Sequence, residues 1–130
     1  MRLIIVDDNI MFRTSIKEFL TCKYDCEVIA EASNGNDFLK LKEVADADVV
    51  LMDIEMDKTN GIEATKQISW MVPGIKVLAV TMLNEKVFLK QLIEAGFKGC
   101  VFKTDVFKIL FPAIIEVMSG RLYYPSDMKV

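Results

Sequence analysis

Leu3 to Val6, Val49 to Met52 and Val77 to Val80 are short stretches, each apolar at every position. A strand with one wet face alternates apolar and polar side chains, so an unbroken apolar run marks a strand covered on both faces. Glu27 to Glu31 and Gly99 to Phe102 are weaker candidates of the same kind. The segments between them change to a helical period. Phe12, Ile16, Phe19 and Leu20 share one face of a helix from about Ile10 to Cys22. A second helix spans about Gly35 to Val44 with Phe38, Leu39 and Leu41, and a third follows Gly61 with Ile62, Ala64, Thr65 and Ile68, before a turn at Pro73-Gly74. The fourth runs from about Glu85 to Ala95, with Gly96 as its C-terminal cap. The last runs from an N-cap at Asp105 to near Gly120, with Pro112 inside it.

Strand then helix, five times over, specifies an α/β domain: a five-stranded, doubly wound parallel sheet with helices on both faces and right-handed crossovers. The 130 residues suffice for one such domain, and a chain 52% hydrophobic and 27% charged has a globular balance. The net charge of −3 comes without a basic stripe, which argues against a nucleic-acid surface. The apolar stretch after Met1 and Arg2 is too short for a signal peptide or a membrane span, so the expectation is a cytoplasmic chain that makes no membrane contact. Cys22, Cys26 and Cys100, in a chain without histidine, fit a reducing compartment and packing roles better than a zinc site.

In open α/β sheets, ligands bind beyond the carboxyl ends of the strands. The first strand ends in Asp7-Asp8, the third in Asp53, the fourth in Thr81 and the fifth in Lys103. Three carboxylates converging there repel one another by about 4 kcal/mol per pair at ~4 Å and an effective dielectric near 20. A hard divalent cation with oxygen ligands offsets that repulsion, and few carboxylates plus water suit Mg²⁺ better than Ca²⁺. A carboxylate beside Mg²⁺, a lysine and a hydroxyl forms a phosphoryl-transfer site, with Asp53 on a central strand as its nucleophile.

These residues and their spacing resemble a two-component response-regulator receiver domain over essentially the whole chain. The matching elements are Asp7-Asp8, Asp53 within Leu-Met-Asp-Ile-Glu-Met, Gly61, Thr81 and Lys103. Asn60-Gly61-Ile62-Glu63-Ala64 and the Ala95-Gly96 turn resemble the subgroup whose receivers carry helix-turn-helix output domains (the NarL/FixJ/LuxR type). The resemblance implies a flavodoxin-like (βα)5 fold with strand order 2-1-3-4-5. It implies that Asp8 and Asp53 ligate Mg²⁺ directly, Asp7 through water, and Glu55 through its backbone carbonyl. Thr81 and Lys103 would bind phosphoryl oxygens, and the donor would be a histidine kinase or phosphotransfer protein. The implied chain is a signalling receiver rather than a turnover enzyme. It would control transcription, dimerise through the last two helices, and meet DNA only through an output domain. Residues 1–120 would form the receiver, and residues 121–130 a tail or the start of a linker, since Gly120 to Pro125 resembles the stretch that joins receivers of this subgroup to their output domains.

Departures from the family pattern fall at Asp57 and Thr104, where prolines are usual, and at Cys100, where receivers usually carry an aromatic residue that responds to phosphorylation. Cys100 is therefore the expected switch position, with a muted or altered readout. The bulky Met82 and Leu83 are expected to slow water attack on the acyl phosphate. An aspartyl-phosphate phosphatase would need a second aspartate two residues after the nucleophile, where this chain has Glu55. A degenerate receiver that binds partners without phosphorylation is the other alternative, supported by Cys100 and Met82. Capping of the first helix is a competing role for Asp7-Asp8. Phe88, Leu92 and Ile93 are expected in the core and Trp70 at a partly exposed helix end. The apolar excess at Ile109, Leu110, Phe111, Ile114 and Ile115 points to a contact face.

Overall fold

Side chains along a strand point alternately to its two faces, and here both sets are apolar. In the computed structural model, which describes residues 1–56, 59–82 and 88–128, the two sets feed two separate cores. Strands β1 (Arg2–Val6), β2 (Glu27–Ala32), β3 (Val49–Met52), β4 (Val77–Thr81) and β5 (Gly99–Phe102) pair in parallel in the order β2-β1-β3-β4-β5. Helices α1 (Ile10–Tyr24), α2 (Gly35–Leu39), α3 (Gly61–Met71), α4 (Leu89–Ala95) and α5 (Val106–Met118) connect and follow them.

Leu3, Ile5, Val49, Leu51, Leu78, Val80 and Val101 pack under α1 and α5, against Ile16, Leu20, Leu110 and Ile114. Ile4, Val6, Val50, Met52, Val77 and Ala79 pack on the other face, against Phe38 of α2, Ile68 of α3 and Leu92 of α4. Full burial of each large side chain contributes ~1.5–3 kcal/mol. The same alternation leaves the polar residue after each strand at the carboxyl edge of the sheet.

Several expectations change on contact with the structure. The second helix stops at Leu39, and a separate 3-10 turn covers Lys42–Asp46. Leu41 between them is extended (φ −71, ψ 124). In one unbroken helix Phe38 and Val44 would lie on different faces; the break lets both enter the same core. Asp105 precedes α5 but makes no side-chain cap bond, because Lys103–Asp105 form a 3-10 turn that runs directly into the helix, with the Val106 N–H donating to the Lys103 carbonyl. Of Phe88, Leu92 and Ile93, only Leu92 is buried, and Trp70 is fully on the surface. Gly96 ends α4 in the left-handed region (φ 105), as the sequence leads one to expect. Asp57, Leu83 and the anticipated start of the fourth helix at Glu85 lie outside the described residues.

Beyond α5 the chain turns at Gly120 and returns to the free edge of β5. The Tyr123 N–H donates to the Lys98 carbonyl at 3.0 Å, and the Cys100 N–H donates to the Tyr123 carbonyl at 2.8 Å. A side chain on Gly99 would collide with the Tyr123 carbonyl, so this approach requires glycine. Among the described residues, no helix is long and apolar enough to cross a membrane.

Candidate functional site

The step from β1 into α1 sets the first part of the site. Asp7 is buried and its N–H donates to the Ala32 carbonyl of β2 at 3.0 Å. Its carboxylate accepts the Asn9 N–H at 2.8 Å, which bends the chain out of the sheet. Asn9, not the acidic pair, caps α1: its side chain accepts the Phe12 N–H at 3.0 Å. Asp7 and Asp8 are thus free of the capping role, and Asp8 is exposed. One turn into α1, the Arg13 guanidinium donates to the Asp7 backbone carbonyl and pairs with Glu31 of β2 at 3.0 Å. Lys17 pairs with the other oxygen of Glu31 at 3.0 Å.

Asp53 follows β3, and its N–H donates to the Val6 carbonyl at 2.9 Å, which places it beside Asp7. Gly61, the first residue of α3, lies so close to the Asp53 carbonyl that a Cβ there would overlap it. The Gly61 N–H donates to the Ile54 carbonyl at 2.9 Å, so the loop after Asp53 is clamped to the start of α3. Thr81 is buried at the end of β4, paired across the sheet with Phe102. Lys103 comes from the next position after β5, and its ammonium reaches Asp7 Oδ2 at 2.8 Å and Asp53 Oδ2 at 3.4 Å.

One carboxylate oxygen from each of Asp7, Asp8 and Asp53 lies within 4.8 Å of the others. Burial, reinforced by the Asp7 charge and only partly opposed by Lys103, pushes the Asp53 carboxyl up to about 6. Burial alone would lower the Lys103 ammonium, but its bond to Asp7 and the nearby Asp53 charge outweigh that and raise it. The donor set is all oxygen, two of its three carboxylates are buried, and Lys103 is the ammonium they share among the described residues. Such a set fits a hard divalent cation. Glu55 is exposed and lines an open cleft of about 420 Å³ with Asp8, Ile54, Met56 and Asn60.

Cys100 lies apart from this cluster. It is fully buried on β5 opposite Ala79, and burial pushes its thiol up to about 12. Tyr124, from the returning segment, packs on the same core and donates its hydroxyl to the Phe97 carbonyl at 3.0 Å.

Residues 3–113 match the response regulator receiver domain family. The chain belongs to that family. The receiver is 31% identical over 122 residues to the transcriptional regulatory protein DegU of Brevibacillus brevis, covering 94% of this chain and 52% of that protein. It is 35% identical over 122 residues to the response regulator GacA of Pseudomonas aeruginosa, covering 94% and 57%. It therefore spans a little over half the length of these curated relatives. The crystal structure of a LuxR-family two-component response regulator from Aurantimonas superposes with a TM-score of 0.88 at 28% identity, covering 97% of this receiver and 90% of that chain. The strand order 2-1-3-4-5 is the flavodoxin-like order of the receiver fold.

Sequence reasoning placed Phe12 on the core face of α1 and passed over Arg13 and Glu31. In this receiver the Phe12 ring lies 4.4 Å from the Lys103 ammonium, and Arg13 and Glu31 tether the Asp7 backbone to β2. Nothing local in the sequence signals either contact, because each joins residues of separate elements.

Proposed function

We propose that this receiver takes a phosphoryl group on Asp53 from a phosphohistidine of a partner kinase or phosphotransfer protein. An Asp53 carboxylate oxygen attacks phosphorus in line with the departing imidazole nitrogen. The P–N bond breaks, its electron pair stays on the ring, and an acyl phosphate forms. Asp8 and Asp53 would hold Mg²⁺ directly, Asp7 through water and Glu55 through its backbone carbonyl, and the ion would supply positive charge to the transferring oxygens. Lys103, already 3.4 Å from Asp53 Oδ2, neutralises a further phosphoryl oxygen, and the Thr81 hydroxyl at the adjacent strand end donates to another. The observation that carries this reading is the buried Asp53 carboxylate, set among Asp7, Asp8 and a shared ammonium at the edge of an open cleft.

Two relatives named for transcriptional or response regulation favour control of transcription as the output. In this reading the receiver comprises residues 1–120, residues 121–130 begin the connection to a DNA-binding output domain, and the whole works in the cytoplasm. Ile93 of α4 and Phe107 and Ile115 of α5 remain exposed and offer apolar surface for a homodimer through the last two helices. One observation favours a second reading, a partner-binding module that needs no phosphorylation: Cys100 at the expected switch position is a small, fully buried thiol.

Intact-protein mass spectrometry decides between them. After incubation with Mg²⁺ and a small acyl-phosphate donor, the wild type should gain one phosphoryl group. The adduct should be absent without Mg²⁺ and absent in Asp53→Asn. No adduct on wild type, even with candidate kinases added, would leave only the second reading.

A further inference from the structure

Among the described residues, the Lys103 ammonium meets the Asp7 carboxylate at 2.8 Å, the Asp53 carboxylate at 3.4 Å, and the Phe12 ring, whose centroid is 4.4 Å away. The Lys103 side chain is 13% exposed, so this contact is largely shielded from water, where a cation over an aromatic face is held most strongly. The Phe12 backbone is held by its N–H bond to the Asn9 cap of α1, and its side chain packs at the margin of the core under α1 and α5. The two kinds of neighbour differ in one respect. A cation bound by the carboxylates would weaken their pull on Lys103, whereas the attraction of the ring does not pass through the carboxylates and persists.

We propose that Phe12 is a positioning residue for phosphoryl transfer: its ring face keeps the Lys103 ammonium beside Asp53 once a cation occupies the acidic cluster. The inference rests on the phosphoacceptor reading above. It assigns to α1 a part in the chemistry that goes beyond supporting the sheet. Leucine at position 12 fills similar space without the ring, and tyrosine keeps the ring.

Two measurements on the same proteins test this. In NMR spectra, the ε-methylene signal of Lys103, identified by its disappearance in Lys103→Arg, should lie upfield of the other lysines with and without Mg²⁺. It should return to the common lysine position in Phe12→Leu and stay upfield in Phe12→Tyr. The rate of adduct formation from a small acyl-phosphate donor at saturating Mg²⁺ should fall about 3- to 10-fold in Phe12→Leu and be restored in Phe12→Tyr. In a Lys103→Gln background, Phe12→Leu should cause no further loss, since the partner it acts through is gone. An unshifted Lys103 signal in the presence of Mg²⁺, or an equal loss in the Lys103→Gln background, overturns the proposal, since a purely structural phenylalanine gives that result. A wild type that takes no phosphoryl group overturns the kinetic role through the underlying reading. The NMR result then still reports separately on whether ring and ammonium meet.

Discussion

Asp53 is 5% exposed at the end of β3 and shares the Lys103 ammonium with Asp7. Burial and the Asp7 charge lift its carboxyl from 3.8 to about 6, so ionising it in the metal-free fold works against stability. A folded-state value above the unfolded one means the folded chain binds more protons between about pH 4 and pH 6. The favourable contribution of the protonated carboxyl is complete below about pH 4 and is lost as the pH rises through 6. Asparagine keeps the shape and removes the charge. Metal-free Asp53→Asn should therefore be more stable than wild type at pH 7.5, by at most about 3 kcal/mol. The advantage should shrink on acidification and vanish near pH 4. Urea midpoints of both proteins across that range check it, and a difference that does not vary with pH would show that Asp53 carries no such penalty. At this scale, the sequence made the strand-end residues legible because each follows an apolar run. Phe12 and Arg13 were not legible, since their partners lie on β2 and beyond β5 and no spacing along the chain encodes that meeting.

The helices show where periodicity stops being informative. Ile93 follows Leu92 directly, yet α4 buries Leu92 and Ala95 and leaves Ile93 exposed, while Phe88 is the extended residue that precedes the helix and is exposed too. Spacing tells which residues share a face but not how far the neighbouring layer extends over it. The break at Leu41 is likewise set by the core, which takes Phe38 and Val44 together. The segment after α5 is the clearest case. It pairs with β5 through one bridging residue, Tyr123, too little to leave an alternating pattern. Yet it satisfies the Cys100 N–H and the Lys98 carbonyl on an edge that would otherwise be open, and Tyr124 covers the core at Phe97 and Cys100. Removing the hydroxyl alone, in Tyr124→Phe, should cost about 0.5–1.5 kcal/mol for the lost bond to the Phe97 carbonyl. Tyr124→Ala should cost about 2–4 kcal/mol, somewhat less than at a fully packed aromatic site, because Tyr124 is half-buried. Denaturant unfolding measures both. Two unchanged midpoints would mean that the segment rests on β5 without holding it.

Both cores are built on one sheet, since alternate residues of β1, β3 and β4 enter opposite layers. That double burial is what made the fold readable, because short runs such as Leu-Ile-Ile-Val, recurring between segments of helical period, fit strands apolar on both faces. It also ties the acidic edge to the whole molecule. Asp7 and Asp53 are held by the ladder bonds that join β1 to β2 and β3, so neither core can melt while the site stays assembled. Unfolding should then be a single cooperative transition, and an ion bound only by the assembled site should shift all of it. We expect the wild-type midpoint to rise with free Mg²⁺, each tenfold increase above the dissociation constant adding about 1.4 kcal/mol. Protons compete for the same oxygen, so the gain should be small at pH 5, where Asp53 is mostly protonated, and should grow as the pH passes 6. Asp8→Asn retains both cores and removes an exposed carboxylate of the cluster, so it should lose most of the gain while unfolding as cooperatively as wild type. Calorimetry at several Mg²⁺ concentrations and two pH values measures every term. An equal Mg²⁺ response in Asp8→Asn would move the ion away from this cluster, and a response at pH 5 as large as at pH 7.5 would remove Asp53 from its ligands.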